Sequence, residues 1–539
     1  MPDLLLKGGI LYDPTNDVKG EVRDLWIDKG RVINAPPAGT KARRKIDLTG
    51  YVVMPGGVEM HCHIAGPKVN IGRRFFPEFD PRNPLGPVHG TRATGRLFAG
   101  IGYTTAFDAA IPPLMARHAH LELSDTPIID KGCYLLFDNN HYVLDALREN
   151  RTHDLDAYLG WAMHAGRGFG VKIVNPGGVE NWKEVSRKTL RELDAPVKEF
   201  GVSPRTIVRE LAAAVDRLGL SHSAHIHANN LGIPGNVATT LETMKSLDGH
   251  RGHFAHIQFH SYGGNESDPT SFASAVPQLV EYIKSHPNVT FDVGHIHPGQ
   301  ALSMTGDAPF SQVLHHLTGG RWYAADGEQE SSCGVLPIEY EPQKKLVHAV
   351  QWAIALEWYL LMDDPWRMAM TSDHPNGGAF TRYPEMIHLL MDKAARREAI
   401  KEMPAELQSR SVVADLEREY SLHEIAIITR AAPARMLGLK NKGHLGTGAD
   451  ADVAVYLPSD NRIEMFSRPK YVFKAGSLVA QEGEVVAENF GRTLISEPSF
   501  DRDAEISIKK WFEQSYSLQF ANYSIGPNEF ASTEFLPLS

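Results

Sequence analysis

Cysteine is scarce in this chain: Cys62, Cys133 and Cys333 are the only three among 539 residues, and no Cys-x-x-Cys pair occurs. That excludes a disulfide framework and iron–sulfur centres held by the chain itself, and a reducing, cytoplasmic setting is expected. Positive charge is in deficit. Against 65 Asp and Glu stand 55 Lys and Arg, for a formal charge of -10. No basic face is expected for nucleic acid or an anionic membrane, which leaves small molecules and protein partners. Long hydrophobic runs are missing as well. The most apolar stretch, 347–362, is interrupted by His348, Gln351 and Glu357, and residues 1–12 carry no cleavage pattern, so neither a membrane span nor a signal peptide is expected. Gly-x-Ser-x-Gly, Walker, Gly-x-Gly-x-x-Gly and His-Glu-x-x-His motifs are also absent.

What is present suits a large folded domain with appendages, since the chain is 42% hydrophobic and 22% charged. Residues 1–55 read as short strands and tight turns, such as 22–28, Lys29-Gly30 and 31–33. From 56 to 425, short apolar segments alternate with longer amphipathic ones, which predicts an α/β fold: a (β/α)8 TIM-type barrel with insertions. Residues 426–495 return to β character, so the two ends are expected to share one small β-sandwich. The tail, 496–539, is rich in Ser, Phe and Glu, has no evident core, and is expected to contact a partner.

In such a barrel, chemistry belongs at the C-terminal ends of the strands. His61-Cys62-His63 ends an apolar run; residues i and i+2 of a strand share a face, so both imidazoles can reach one ion. An isolated His-x-His is more often a surface or core pair, but here Ser372-Asp373-His374-Pro375 offers an acid far downstream. Lys172 interrupts the apolar segment 170–175. It reads either as a snorkelling or paired lysine or, after addition of carbon dioxide, as a carbamate (N6-carboxylysine) whose two oxygens bridge two metals. The segments 225–230 and 253–260 each offer surplus histidines. His227 and His256 are preferred as ligands, with His225 and His260 left open as ligands or as groups behind them.

The His-x-His strand, the lysine, the later histidines and the Ser-Asp-His-Pro aspartate together resemble the amidohydrolase superfamily, near its dihydroorotase and hydantoinase branch. Pro433-Ala434-Arg435-Met436-Leu437-Gly438-Leu439 and Gly448-Ala449-Asp450-Ala451-Asp452 are similar to that superfamily's closing helix and returning β unit. A narrower likeness is carried by 65–73 (AGPKVNIGR), 227–232 (HANNLG), 258–264 (QFHSYGG) and 380–384 (FTRYP). These runs resemble the A subunit of formylmethanofuran dehydrogenase and the hydrolase subunit of the bacterial formyltransferase/hydrolase complex.

The resemblance implies two zinc ions on His61, His63, Lys172, His227, His256 and Asp373, and a substrate of the methanofuran type split into formate and methanofuran. Asp373 would carry the proton from attacking water to the amine. Asn229 is expected to bind substrate, and Arg73, Arg74 and Arg382 to hold its carboxylates. The implied partners are a formyltransferase subunit together with other complex subunits, among them a molybdenum or tungsten subunit in the archaeal version. A cyclic amide hydrolase of dihydroorotase or hydantoinase type, or a metal-free scaffold, remains the alternative.

Overall fold

The computed structural model of the chain describes residues 1–76, 79, 86–184, 189–326, 332–530 and 534–538. Eight parallel strands form its centre: β1 (Gly57–Cys62), β2 (Tyr103–Ile111), β3 (Asp130–Leu136), β4 (Gly170–Val174), β5 (Ala224–His227), β6 (Gly252–Phe254), β7 (Val289–Asp292) and β8 (Met368–Ala369). Each pairs with the next in parallel register. Side chains of β4 and β5 are buried throughout, as strands covered on both faces require.

Between β8 and β1 the described residues form no ladder. The ring closes instead through the loop after β8, where the His63 amide donates to His374 O at 2.7 Å and Thr371 Oγ1 donates to His61 O at 2.8 Å. Packing at the start of β1 is tight: a Cβ on Gly57 would lie 2.5 Å from the Tyr103 ring.

The crossover helices follow from their sequences. Pro204–Arg217 begins with Pro at its first turn, is capped by Ser203 accepting from the Thr206 amide, and buries Ile207, Leu211, Ala214 and Val215 on one face. Between β7 and β8 an insertion adds antiparallel strands Gly299–Thr305, Tyr323–Asp326 and Ser332–Tyr340 with helix Ala308–Thr318. Among the described residues no helix is long and apolar enough to cross a membrane.

Both chain ends build one second sheet, of nine strands among the described residues. Leu4–Asp13 pairs antiparallel with Val18–Asp28 and parallel with Val52–Pro55, which in turn pairs antiparallel with Val453–Tyr456. Leu6, Ile27, Val53, Val455 and Phe473 share its core. The tail borrows its core from the barrel. Thr493–Ser496 and Phe535–Leu538 pair in parallel beside the start of β3, and helix Ala504–Ser515 lays Trp511 and Phe512 against Tyr142 and Trp161.

A buried ionic joint fastens this second sheet to the barrel floor. Lys442 Nζ lies 2.6 Å from Asp130, 3.0 Å from Asp450 and 2.8 Å from Asp452; Lys474 reaches Asp130 and Asp452, and Arg492 reaches Asp130 and Asp450. Three carboxylates meet three cations, so the charge cancels where solvent cannot screen it. Burial opposes the charge on Asp130, yet Lys442, Lys474 and Arg492 hold its carboxyl well below the usual range. A group depressed in this way stabilises the fold above its unfolded value near 4, and the contribution is lost as the pH falls toward the folded one. Lys442→Met is therefore predicted to destabilise the chain by about 3–5 kcal/mol at pH 7, with a deficit that shrinks as the pH is lowered. Urea unfolding at two pH values checks both halves, and an unchanged midpoint at pH 7 would count against the joint.

Candidate metal centre

Strand register sets the heights of the inward-facing groups. Across β4 and β5, Lys172 stands opposite His225 and Val174 opposite His227, so His227 sits one step nearer the mouth. Across β5 and β6, His225 stands opposite His253.

At the upper level, His61, His63, Lys172, His227, His256 and Asp373 share the wall of one cavity of about 240 Å³. His61 Nε2 and His63 Nε2 lie 3.1 and 3.2 Å from Asp373 Oδ1. Ligand atoms of His61, His256 and Asp373 fall within 4.8 Å of one another, and so do those of His227, His256 and His260. His61 Nε2, Lys172 Nζ, His256 Nδ1 and Asp373 Oδ1 are buried without a hydrogen-bond partner, as are both ring nitrogens of His260. An unpartnered buried polar atom costs about 1–3 kcal/mol. Imidazole nitrogens and a carboxylate oxygen converging in this way are the donor set of a divalent-metal centre, and the residues fit one. Asn175, His256 and Asp373, which follow β4, β6 and β8, all adopt left-handed backbone with φ of 49°, 34° and 51°. Such strain is held where the surroundings enforce it, commonly at functional sites.

Below this level, hydrogen bonds decide where protons sit. Met436 O can only accept, so His222 Nδ1, 2.9 Å away, donates to it; His222 Nε2 then accepts from His225 Nδ1 at 2.9 Å. His225 Nε2 in turn faces His61 Nδ1 at 2.8 Å and accepts from it. The Asp292 carboxylate also takes His61 Nδ1–H at 3.0 Å, His253 Nε2–H at 3.0 Å and the His256 amide at 2.7 Å. Both routes put the His61 proton on Nδ1 and leave Nε2 as a lone pair beside Asp373.

Burial depresses His222 to about 3 and also lowers His225 and His253. His61 is the exception: burial opposes its charge, but Asp292 and Asp373 raise it to about 9. The site thus favours positive charge at His61 Nε2, which a proton or a metal ion supplies. Burial pushes the Lys172 ammonium down to about 8, against the pull of Asp292 and Asp373.

The structure separates the surplus histidines by height. His227 and His256 face the cavity, His225 lies in the histidine row beneath it, and His260 is fully buried behind His227 and His256. Among the described residues, none of the three arginines lines the cavity. Arg73 is committed to Glu122, His89 O and Ile64 O, Arg382 to Glu385 and Pro298 O, and Arg74 is exposed. Asn229 donates to Asn175 Oδ1 and Pro176 O, away from the cavity wall. The outer wall is instead largely apolar, with Leu231, Phe259, Phe310, Leu314 and Ile338, and with Tyr340, His348 and Gln351 as polar points.

Sequence reasoning missed Asp292, Asp307 and Glu59. Glu59, pushed up to about 8 by burial, accepts from the His61 amide and bonds Tyr383. Its place two residues before His61, on the same strand face, was the available signal.

The model of the amidohydrolase family matches residues 44–480. Protein FwdA of Methanocaldococcus jannaschii is 41% identical to this chain, with 98% of each chain covered. The A subunit of the formyltransferase/hydrolase complex Fhc of Methylorubrum extorquens is 40% identical over 94% of this chain and 92% of its own. A crystal structure of the FhcABCD complex from Methylorubrum extorquens with methylofuran superimposes at a TM-score of 0.93, with 36% identity and 99% of both chains covered. With its closed ring of parallel strands and its inward histidines, lysine and aspartate, the chain belongs to the amidohydrolase family, and within it to the relatives of FwdA and the Fhc hydrolase chain.

Proposed function

We propose that this chain is a cytoplasmic, metal-dependent hydrolase that releases formate from the N-formyl amine of a methanofuran-type compound. It would act as one subunit of a complex with a formyltransferase. The carrying observation is the convergence of His61, His63, Lys172, His227, His256 and Asp373 on one cavity floor; identity of about two residues in five to FwdA and to its Fhc counterpart supports the substrate and the partner.

His61, His63 and Asp373 would hold one zinc ion, and His227 and His256, with His260 behind them, the other. Lys172 would join the two as a carbamate. Its buried, unpartnered Nζ supports this: the neutral amine adds to the carbon of carbon dioxide and releases one proton, turning a costly buried ammonium into an anion with two oxygens. When bound, the ions supply Lewis acidity toward a carbonyl and make water a nucleophile near neutral pH.

The chain's own groups do the rest. The Asp373 carboxylate takes a proton from the water that adds to the formyl carbon and returns it to the amine nitrogen as the C–N bond breaks; such proton carriage is worth about 10²- to 10⁴-fold. Asp373 is aimed by its own backbone amide, which donates to Thr371 Oγ1 at 3.0 Å. The apolar outer wall excludes water and suits the uncharged end of the substrate. Its carboxylates would stay beyond the mouth, since Arg73 and Arg382 are already paired with Glu122 and Glu385.

Metal analysis of the purified protein should find about two zinc ions per chain, and N-formylmethanofuran should yield formate. Asp373→Asn is expected to lower kcat about 10²- to 10⁴-fold while most of the metal is kept. Lys172→Ala should lose metal and activity together, with partial recovery in a short carboxylic acid that replaces the carbamate oxygens. Formate release that survives Asp373→Asn would remove the assigned proton carrier. Metal with no formate release, but turnover of hydantoin or dihydroorotate, would move the substrate to a cyclic amide.

A further inference from the structure

Asp307 lies outside the barrel, in the insertion between β7 and β8, yet it is only 2% exposed and its carboxylate is spent on the centre. Oδ2 accepts from His227 Nε2 at 3.2 Å. Oδ1 accepts from Asn175 Nδ2 at 2.9 Å and from the Phe310 amide at 3.1 Å, the second bond capping helix Ala308–Thr318. Asn175 directly follows β4, three residues beyond Lys172, and its own Oδ1 accepts from Asn229 at 2.8 Å. One side chain thus touches the end of β4, the end of β5 and the helix whose Phe310 and Leu314 face the cavity.

The chemistry of an imidazole makes this contact directional. A neutral ring carries one N–H, and a carboxylate at Nε2 draws it there, leaving Nδ1 as the lone pair that can bind a metal. Asp292 does the reverse for His61, whose Nδ1 carries the proton and whose Nε2 is open. The two candidate metal positions are therefore oriented from different parts of the molecule, one from the barrel core and one from the insertion.

We propose that Asp307 is the positioning residue that fixes the ring and tautomer of His227 and thereby couples the second metal position to the cavity wall. This rests on the metal-centre reading above. By linkage, an ion on His227 and the seating of helix Ala308–Thr318 favour each other to the same degree.

Cobalt(II), followed by its visible absorption, is titrated into the zinc-stripped full chain as parent, Asp307→Asn and Asp307→Ser. Asn can still cap the helix, but its amide N–H would face His227 Nε2 and force the ring proton onto Nδ1. Ser also caps well, yet is too short to reach His227. Both variants are expected to bind the first ion within about twofold of the parent and the second about 10- to 100-fold more weakly, with the corresponding absorption band delayed. Asp307→Glu should restore part of it. A second ion bound as tightly in both variants as in the parent, or both ions weakened alike, would overturn the proposal. If Asp307→Asn fails to fold, Asp307→Ser decides alone. A parent that takes up no second ion overturns the proposal together with the dinuclear centre. No substrate enters the titration, so a parent that binds two ions but releases no formate removes the formyl-amine reading only.

Discussion

A single buried carboxylate, Asp292, is the constraint around which the centre is arranged. Burying an anion at the middle of a barrel is unfavourable unless its lone pairs are filled. Here they take His61, His253 and the His256 amide, and those partners keep the carboxyl ionised despite full burial. The consequences run upward. His61 must turn its Nε2 toward Asp373, and His256 must adopt a left-handed backbone to bring its amide down onto Asp292 while its ring faces the cavity. The histidine row from Met436 O through His222 and His225 enforces the same tautomer of His61 from the other side.

The second constraint is the seam of the barrel. β8 is two residues long, and the segment that seals it to β1 is the one that carries Asp373. Thr371 Oγ1 donates to His61 O and accepts from the Asp373 amide. Closing the ring and aiming the acid are therefore one structural event, and the strained φ of Asp373 is held by bonds on both sides of it.

Parts of this were legible in the sequence for physical reasons. His61 and His63 share a strand face, Asp373 sits in a distinctive local run, and Lys172 stands out in an apolar strand, so each carries a short-range signal. The choice between His225 and His227 does not: both face inward, and they differ only in height, which the β4–β5 register determines. Asp292 was within reach, because alternation along Val289–Asp292 places it on the same face as Thr290. Asp307 was not, since its partner lies 80 residues away across an insertion with no periodic pattern. The arginines show the opposite error. Nearness in sequence to strand-end motifs led Arg73, Arg74 and Arg382 toward the substrate, whereas Glu122, 49 residues from Arg73, claims that guanidinium in the fold. For the fold, alternation of apolar and amphipathic segments was enough to expect the barrel, while the joining of both ends into one continuous sheet depends on pairings no local pattern encodes.

That shared sheet has a consequence for how the chain is made. Val52–Pro55 emerges from the ribosome early, but its antiparallel partner Val453–Tyr456 is about 400 residues behind it. At roughly 5–20 residues per second, the waiting time is on the order of 20 to 80 seconds. Throughout that interval an all-buried strand, with Met54 and Val53 at zero exposure in the finished fold, has one open edge. Such an edge is a template for pairing with the wrong chain. Nascent copies on one message are thus exposed to each other at this strand before the barrel is complete, and the yield of folded protein depends on how well the cell shields it for about a minute.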